Sequence, residues 1–380
     1  MTPFEVRWTD AEVEQMLRRV RETRLPPAPA GAGWALGCDA EFLERFRDRW
    51  IDGYDWRAAM ADLNKYPQFV ARVEDQDIHF VHVRGEGVRR RPLIMAHGWP
   101  GSHYEFWDAV EPLAFPSRSG GNADDAFDLV IPSLPGFGFS GKPTDVLGQR
   151  TTARLWNSLM TEQLGYPTYL AQGGDWGSIV ATWLGTDHAA SARALHLNML
   201  PLRVPAPPQN DEEAAWIAAV GQKQARLGIY STLQMMKPQS LAWAAMDNPL
   251  GQAAWILERF HDWTDLGDRA LEDAFSLDHL ITNVMIYVMT GSFTTGAWFY
   301  HGLVRESMAA PELPRCVSPT AYAAFPGDQL MPVPPRSRAE LSYDISRWTE
   351  MPRGGHFAAM EEPGLFIDDI RAWARDAWSE

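Results

Sequence analysis

Cysteine is scarce: Cys38 and Cys316 are the only two in 380 residues. A disulfide scaffold is thereby excluded, and two thiols in a reducing compartment are expected. No Cys/His cluster has metal-ligand spacing, so no metal is expected. Basic residues are the minority, 34 Lys and Arg against 49 Asp and Glu, for a net charge of -15. That balance disfavours nucleic acid as a partner. The run Arg89-Arg90-Arg91 is too short to reverse it and reads as a solvated loop. Long apolar runs are missing as well. No stretch approaches the roughly 18 apolar residues of a membrane span. Met1-Thr2-Pro3-Phe4-Glu5-Val6-Arg7 lacks the apolar centre of a signal peptide. The expectation is a soluble, cytoplasmic protein with no membrane partner. What is there is 46% hydrophobic content, enough for one large core with insertions.

Residues 11–24 carry a helical pattern with Val13, Met16, Leu17 and Val20 on one face. Breakers follow from Leu25 to Trp34, then amphipathic stretches over 40–62 that set Phe42, Leu43, Phe46, Trp50, Trp56 and Met60 at helical spacing. Few chemically useful side chains occur here, so the segment reads as a packing extension. Phe69–Val73 and Ile78–Val83 alternate as a hairpin across Glu74-Asp75-Gln76-Asp77. His79 and His82 fall on opposite faces of that strand, which argues against a shared role. Short apolar runs, Leu93–Ala96, Phe127–Ile131, Tyr169–Ala171 and Ala194–Leu197, read as parallel strands separated by helices, hence an α/β fold. After the proline-rich boundary from Pro201 to Pro208, residues 211–305 are helical and rich in Trp, Met and Leu, an inserted lid. Within it, Leu280–Phe293 reads as one buried helix. The core resumes near Pro314 with a strand at Thr320–Phe325, and a last helix runs from Leu365 to Trp378.

Gly173-Gly174-Asp175-Trp176-Gly177 has the G-x-nucleophile-x-G spacing of a strained strand-to-helix turn. A serine at the tip would attack carbonyls. A carboxylate there can displace a leaving group at saturated carbon and form an alkyl ester on the enzyme. That chemistry points to an epoxide or a halide. The plain alternative is a glycine-rich loop with a capping Asp. Two further strand-turn elements supply partners: Phe325-Pro326-Gly327-Asp328 and Arg353-Gly354-Gly355-His356. The order nucleophile, acid, histidine is that of α/β-hydrolases. His356 would act as general base on water, with Asp328 fixing its tautomer. Glu361 and Glu362 are rival acids, placed by the pattern in the first turn of the last helix. His97-Gly98-Trp99-Pro100-Gly101-Ser102 follows a strand and can present backbone N–H groups to an oxyanion. The expected donors are the N–H groups of Trp99 and Trp176, with His97 shaping the loop.

Taken together these motifs resemble the epoxide hydrolases of the α/β-hydrolase superfamily, in the microsomal-type branch. The likeness covers nearly the whole chain. It includes Trp34-Ala35-Leu36-Gly37, Tyr54-Asp55-Trp56-Arg57, Leu63–Phe69 and Asp77-Ile78-His79-Phe80 in the first part. It continues through His97–Ser102, Pro132–Ser140, Gly173–Gly177 and Arg353–Ala359. The resemblance implies an α/β-hydrolase fold in four parts. These are an N-terminal extension over 1–90, a first core part over 91–205, a helical lid over 206–305 and a second core part over 306–380. It also implies two lid tyrosines that donate to the epoxide oxygen, Tyr230 and Tyr300. The acid is Asp328 where mammalian microsomal enzymes use Glu, and the N-terminal membrane-anchoring helix of that branch is not seen.

The implied reaction converts an epoxide to a vicinal diol with water and no cofactor. The lid tryptophans Trp216, Trp243, Trp255, Trp263 and Trp298 suggest an apolar, aromatic-accepting pocket, for which Trp99, Trp176, Phe139, Trp243 and Trp298 are the expected lining. A haloalkane dehalogenase is the nearest rival; it too pairs an Asp nucleophile with a following Trp, but lacks the tyrosine pair. A non-catalytic binding protein on the same fold is the rival of another class, and intact Asp175, Asp328 and His356 speak against it. Detoxification, catabolism and secondary-metabolite tailoring are all compatible with the sequence, as is a homodimer.

Overall fold

A computed structural model describes residues 1–202, 205–310 and 314–378. The described residues contain one nine-stranded sheet in the order β1-β2-β3-β5-β4-β6-β7-β8-β9. Its strands are β1 (Thr2–Phe4), β2 (Gln68–Val73), β3 (Gln76–Val83), β4 (Arg91–Ala96), β5 (Phe127–Pro132), β6 (Tyr169–Gly173), β7 (Ala192–Leu197), β8 (Cys316–Ala324) and β9 (Tyr343–Glu350). From β5 onward in that order every neighbour is parallel, while β1, β2 and β3 join antiparallel. The central strands are apolar throughout because helices cover both faces: Leu93, Leu129, Ile131, Leu170 and Leu195 are fully buried. The two cysteines are free.

The hairpin is tighter than its sequence implies. Val73 pairs with Gln76, so the turn is Glu74-Asp75, with Glu74 at φ 52°. Strand β8 starts four residues earlier than expected. Strand β9, which leads to His356, was not expected at all; it is an edge strand, largely half-exposed, without the apolar run that marks the central ones.

The first helix, α1 (Asp10–Glu22), opens on a capping box: Glu12 N–H donates to Thr9 Oγ1 and Thr9 N–H donates to Glu12 Oε2. Helices α2 (Ala40–Asp52) and α3 (Trp56–Leu63) follow, and α2 buries Phe42, Phe46 and Trp50. Core helices are α4 (Trp107–Ala114), α5 (Gln149–Ser158) and α6 (Asp175–Asp187).

Between β7 and β8, which are parallel neighbours, lie α7 (Asp211–Leu227), α8 (Ile229–Met236), α9 (Pro238–Ala245), α10 (Pro249–Trp263), α11 (Leu271–Ala274), α12 (Leu277–Thr290) and α13 (Ser292–Ala309). The lid is therefore an enlarged crossover. The helix expected over 280–293 is broken: Gly291, at φ 64°, ends α12 in the left-handed conformation that glycine takes freely, and α13 starts at Ser292. After β8 come α14 (Arg336–Ser342), α15 (Ala358–Glu361) and α16 (Pro363–Ala377).

The N-terminal segment contacts the helices of this crossover. Arg45 pairs with Glu272 and Arg49 with Asp278, each at 2.7 Å. Trp34 stacks on His261 of α10 at 4.0 Å. No helix among the described residues is long and apolar enough to cross a membrane.

Candidate active site

Three parallel strands deliver three side chains to one place. Asp175 follows β6, Asp328 follows β8 and His356 follows β9, all at carboxyl ends, where ligands bind in α/β sheets. The turn at Asp175 is as sharp as the motif requires. Asp175 itself sits at φ 46°, a left-handed conformation that a non-glycine residue adopts only when its surroundings enforce it. Those surroundings are closely packed. A Cβ on Gly177 would overlap the backbone oxygen of Ala96, and one on Gly98 would overlap the Asp175 carboxylate. Glycine is needed at both places so that the backbones can approach.

One oxygen of the Asp175 carboxylate accepts a hydrogen bond and the other faces the imidazole. Trp99 N–H donates to Oδ1 at 2.9 Å. His356 Nε2 stands 3.3 Å from Oδ2. On the other side of the ring, His356 Nδ1 is 3.2 Å from Asp328 Oδ2. The remaining oxygen of Asp328 accepts from Leu330 N–H at 2.8 Å and Met331 N–H at 3.0 Å, which fixes the carboxylate plane. Burial works against the imidazolium, but Asp328 and Asp175 outweigh it and carry the His356 pKa well above the ordinary 6.5.

His97 shapes the adjacent loop. Its Nδ1–H donates to Gly98 C=O (2.9 Å) and its Nε2 accepts from Leu134 N–H (3.1 Å), which requires the neutral ring. Burial supplies that by pushing its pKa down to about 4. His79 and His82 are indeed apart: His79 bonds Ser133 and Gln68, and His82 bonds Tyr166.

An aromatic box closes the site from the lid side. Tyr230, on α8, stacks on Trp99 (ring centroids 5.2 Å, planes 10° apart). Tyr300, on α13, meets the edge of Trp176 at 4.4 Å, and the two tyrosine rings lie 5.9 Å apart. Trp263 touches Tyr230 and His356 at 5.2 and 4.9 Å. Both phenols are buried, and burial with the nearby Asp175 charge raises their pKa values, so they are neutral donors. The Tyr300 hydroxyl makes no hydrogen bond of good geometry among the described residues, although Tyr230 and Trp176 lie close enough to interact with it. A buried, poorly bonded hydroxyl is costly and calls for a ligand or a function.

Three residues expected at the pocket lie elsewhere. Phe139 packs on Phe4, His79 and His103. Trp243 is 82% exposed, because α9 turns Ala242 and Ala245 inward and the two residues between them outward. Trp298 points its N–H to Gln239 at the lid surface. Of the other lid tryptophans, Trp216 and Trp255 bond Pro332 C=O and Gln234, and only Trp263 enters the site.

The rival acids are also placed differently. Glu361 ends α15 and Glu362 precedes α16, so neither is in the last helix. Glu361 accepts N–H groups from Asp265 (2.8 Å), Gly355 (2.9 Å) and Phe357 (2.8 Å), tying the end of α10 to the histidine loop. Burial pushes its pKa up to about 7 against those donors. Glu105, next to Gly101, is an acid that the sequence did not single out. Burial raises its pKa to about 8, opposed by His356. Neither carries a local motif; only the folded loops bring them in. Among the described residues, no group of three His, Cys, Asp or Glu is arranged for a metal ion.

Comparison with known proteins agrees with this geometry. Residues 1–106 match the epoxide hydrolase N-terminus family and residues 91–227 the alpha/beta hydrolase fold family. The chain is 33% identical over 399 residues to epoxide hydrolase 1 of Sus scrofa, covering 97% of this chain and 87% of that one. This chain belongs to the epoxide hydrolases. Solved structures of the family superpose along nearly all of it. The juvenile hormone epoxide hydrolase of the silkworm Bombyx mori gives a TM-score of 0.89 at 26% identity, covering 99% of this chain and 94% of the other. The Aspergillus niger epoxide hydrolase gives 0.86 at 28%, covering 99% and 96%. This epoxide hydrolase has the family's fold, with a mostly parallel sheet flanked by helices.

Proposed function

We propose that this epoxide hydrolase converts an apolar or aromatic epoxide to a vicinal diol in two covalent steps through Asp175. The observation that carries the reading is the Asp175 carboxylate itself, strained at φ 46°, with one oxygen on Trp99 N–H and the other facing His356. In the first step a carboxylate oxygen of Asp175 attacks one epoxide carbon. The C–O bond breaks, and its electron pair stays on the epoxide oxygen, which takes a proton from one of the Tyr230 and Tyr300 hydroxyls while the other donates a hydrogen bond. The product is an alkyl ester on Asp175.

Esterification removes one of the two negative charges that hold the proton on His356. Its pKa falls, the proton returns to the tyrosinate, and the imidazole becomes a base. In the second step His356, oriented by Asp328, takes a proton from water as the water attacks the ester carbonyl. The oxyanion is received by the N–H groups of Trp99 and Trp176; the latter lies in the first turn of α6, where N–H groups lack helical partners. Collapse expels the second diol oxygen, which takes the proton from the imidazolium. The carboxyl group of Asp175 then ionises to His356 and restores the resting state.

The test is intact-protein mass after His356→Gln is incubated with styrene oxide, beside a diol assay on the unmodified enzyme. A gain equal to the epoxide, mapped to the Asp175 peptide, is expected. Diol from the unmodified enzyme with no adduct in the variant would overturn the covalent route.

A further inference from the structure

The two tyrosines are not equivalent, and the difference is a buried cation. Arg259, on α10, is only 5% exposed, although arginine is rarely buried without a purpose. Its guanidinium carbon lies over the Tyr230 ring, 5.1 Å from the centroid. Glu258 pairs with the guanidinium, and Asp262 does so at 3.5 Å, which holds it there. The Arg259 Nε finds no hydrogen-bond partner among the described residues, so its burial is not explained by saturated bonding. No cation–ring contact involves Tyr300 among the described residues.

The geometry points to Arg259 as a positioning residue that makes Tyr230 the stronger of the two donors to the departing epoxide oxygen. This rests on the covalent reading above. As the phenol gives up its proton, negative charge spreads into its ring. A desolvated cation over that ring stabilises the charge more than it stabilises the neutral phenol. Asp175, Asp328, Tyr300 and Arg259 act on Tyr230, and Arg259 is the cation over its ring, while the His356 imidazolium sits between the two carboxylates. Asp175 and Asp328 oppose the build-up of charge, so the guanidinium offsets them. Its loss should slow ester formation alone, since a less stabilised tyrosinate takes the His356 proton more readily and hydrolysis is then not slowed.

The experiment follows ester formation on Asp175 with time in the His356→Gln background, where the ester accumulates. Arg259→Gln and Arg259→Met remove the charge and guard against one variant failing to fold; Arg259→Lys keeps it. The neutral variants are expected to slow ester formation about tenfold, and lysine to restore most of that. With His356 intact, single-turnover hydrolysis of the preformed ester should be unchanged. In a Tyr230→Phe background, Arg259→Gln should add no further loss, because the cation then has no phenol to act on.

Three results would overturn the inference: unchanged ester formation in the neutral variants, equal slowing of both steps, or a full further loss on top of Tyr230→Phe. Failure of the covalent reading shows separately, as no ester in His356→Gln with Arg259 intact.

Discussion

The two halves of the active site are built by different means. The core half (Asp175, Asp328, His356 and the Trp99 N–H) is fixed by backbone: a strained φ, glycine contacts with no room for a Cβ, and carboxylates pinned by main-chain donors. The lid half (Tyr230, Tyr300, Trp263) is fixed by ring packing, and it leaves the Tyr300 hydroxyl without a hydrogen bond of good geometry among the described residues. The core half holds charges in place. In the proposed reaction the lid half offers neutral donors that meet charge developing on the epoxide oxygen.

That contrast sets the expected scale of damage. Asp175→Asn should remove turnover by about 10^4-fold or more, since no other side chain takes over the nucleophile, as measured by diol formation. The same substitution reports on electrostatics. In the unmodified enzyme the imidazolium of His356 should persist well above pH 6.5, and with Asp175→Asn its titration, followed by NMR of the ring, should move down. Because the folded pKa lies above the unfolded one, the stability from this pairing is complete below pH 6.5. It is lost as pH rises through the folded pKa. Loss of Asp175 should narrow that window in thermal melts.

Removing a lid hydroxyl should cost less. Tyr230→Phe and Tyr300→Phe are each expected to slow ester formation about 10- to 1000-fold in single-turnover assays, while leaving ester hydrolysis unchanged. If either slowed both steps equally, the division between the halves would fail.

Glu361→Gln should have a milder effect, a several-fold drop in the hydrolysis step and a lower melting temperature, because it loosens the loop that carries His356. Trp243→Ser should be the smallest change, less than twofold in kcat/KM, because the side chain is exposed and remote from the rings of the site.

The same contrast explains what the sequence made legible. Asp175, Asp328 and His356 are each held by turns a few residues long, and such turns need particular residues at fixed offsets, so they leave motifs. The sheet was readable for a similar reason: buried parallel strands such as Leu93–Ala96 are short apolar runs between breakers. The lid leaves no such mark. Which tryptophan of a helical, apolar stretch faces inward depends on the neighbour it packs against, and there Trp263 was not separable from Trp243 or Trp298. The strand β9 was hidden because an edge strand is half-exposed and mixes polar with apolar residues. Glu361 was misplaced for want of one structural fact, the break between α15 and α16 at Glu362. Tyr230 and Tyr300 were legible only through resemblance to the family.

The central claim is that the carboxylate of Asp175, and not water, opens the epoxide. A single turnover in heavy-oxygen water, with enzyme in excess over substrate, tests it most directly. The account predicts a first diol free of the label in its newly formed hydroxyl, with the heavy oxygen retained in the Asp175 peptide. A fully labelled diol and an unlabelled Asp175 would contradict it, and would make Asp175 a base that activates water.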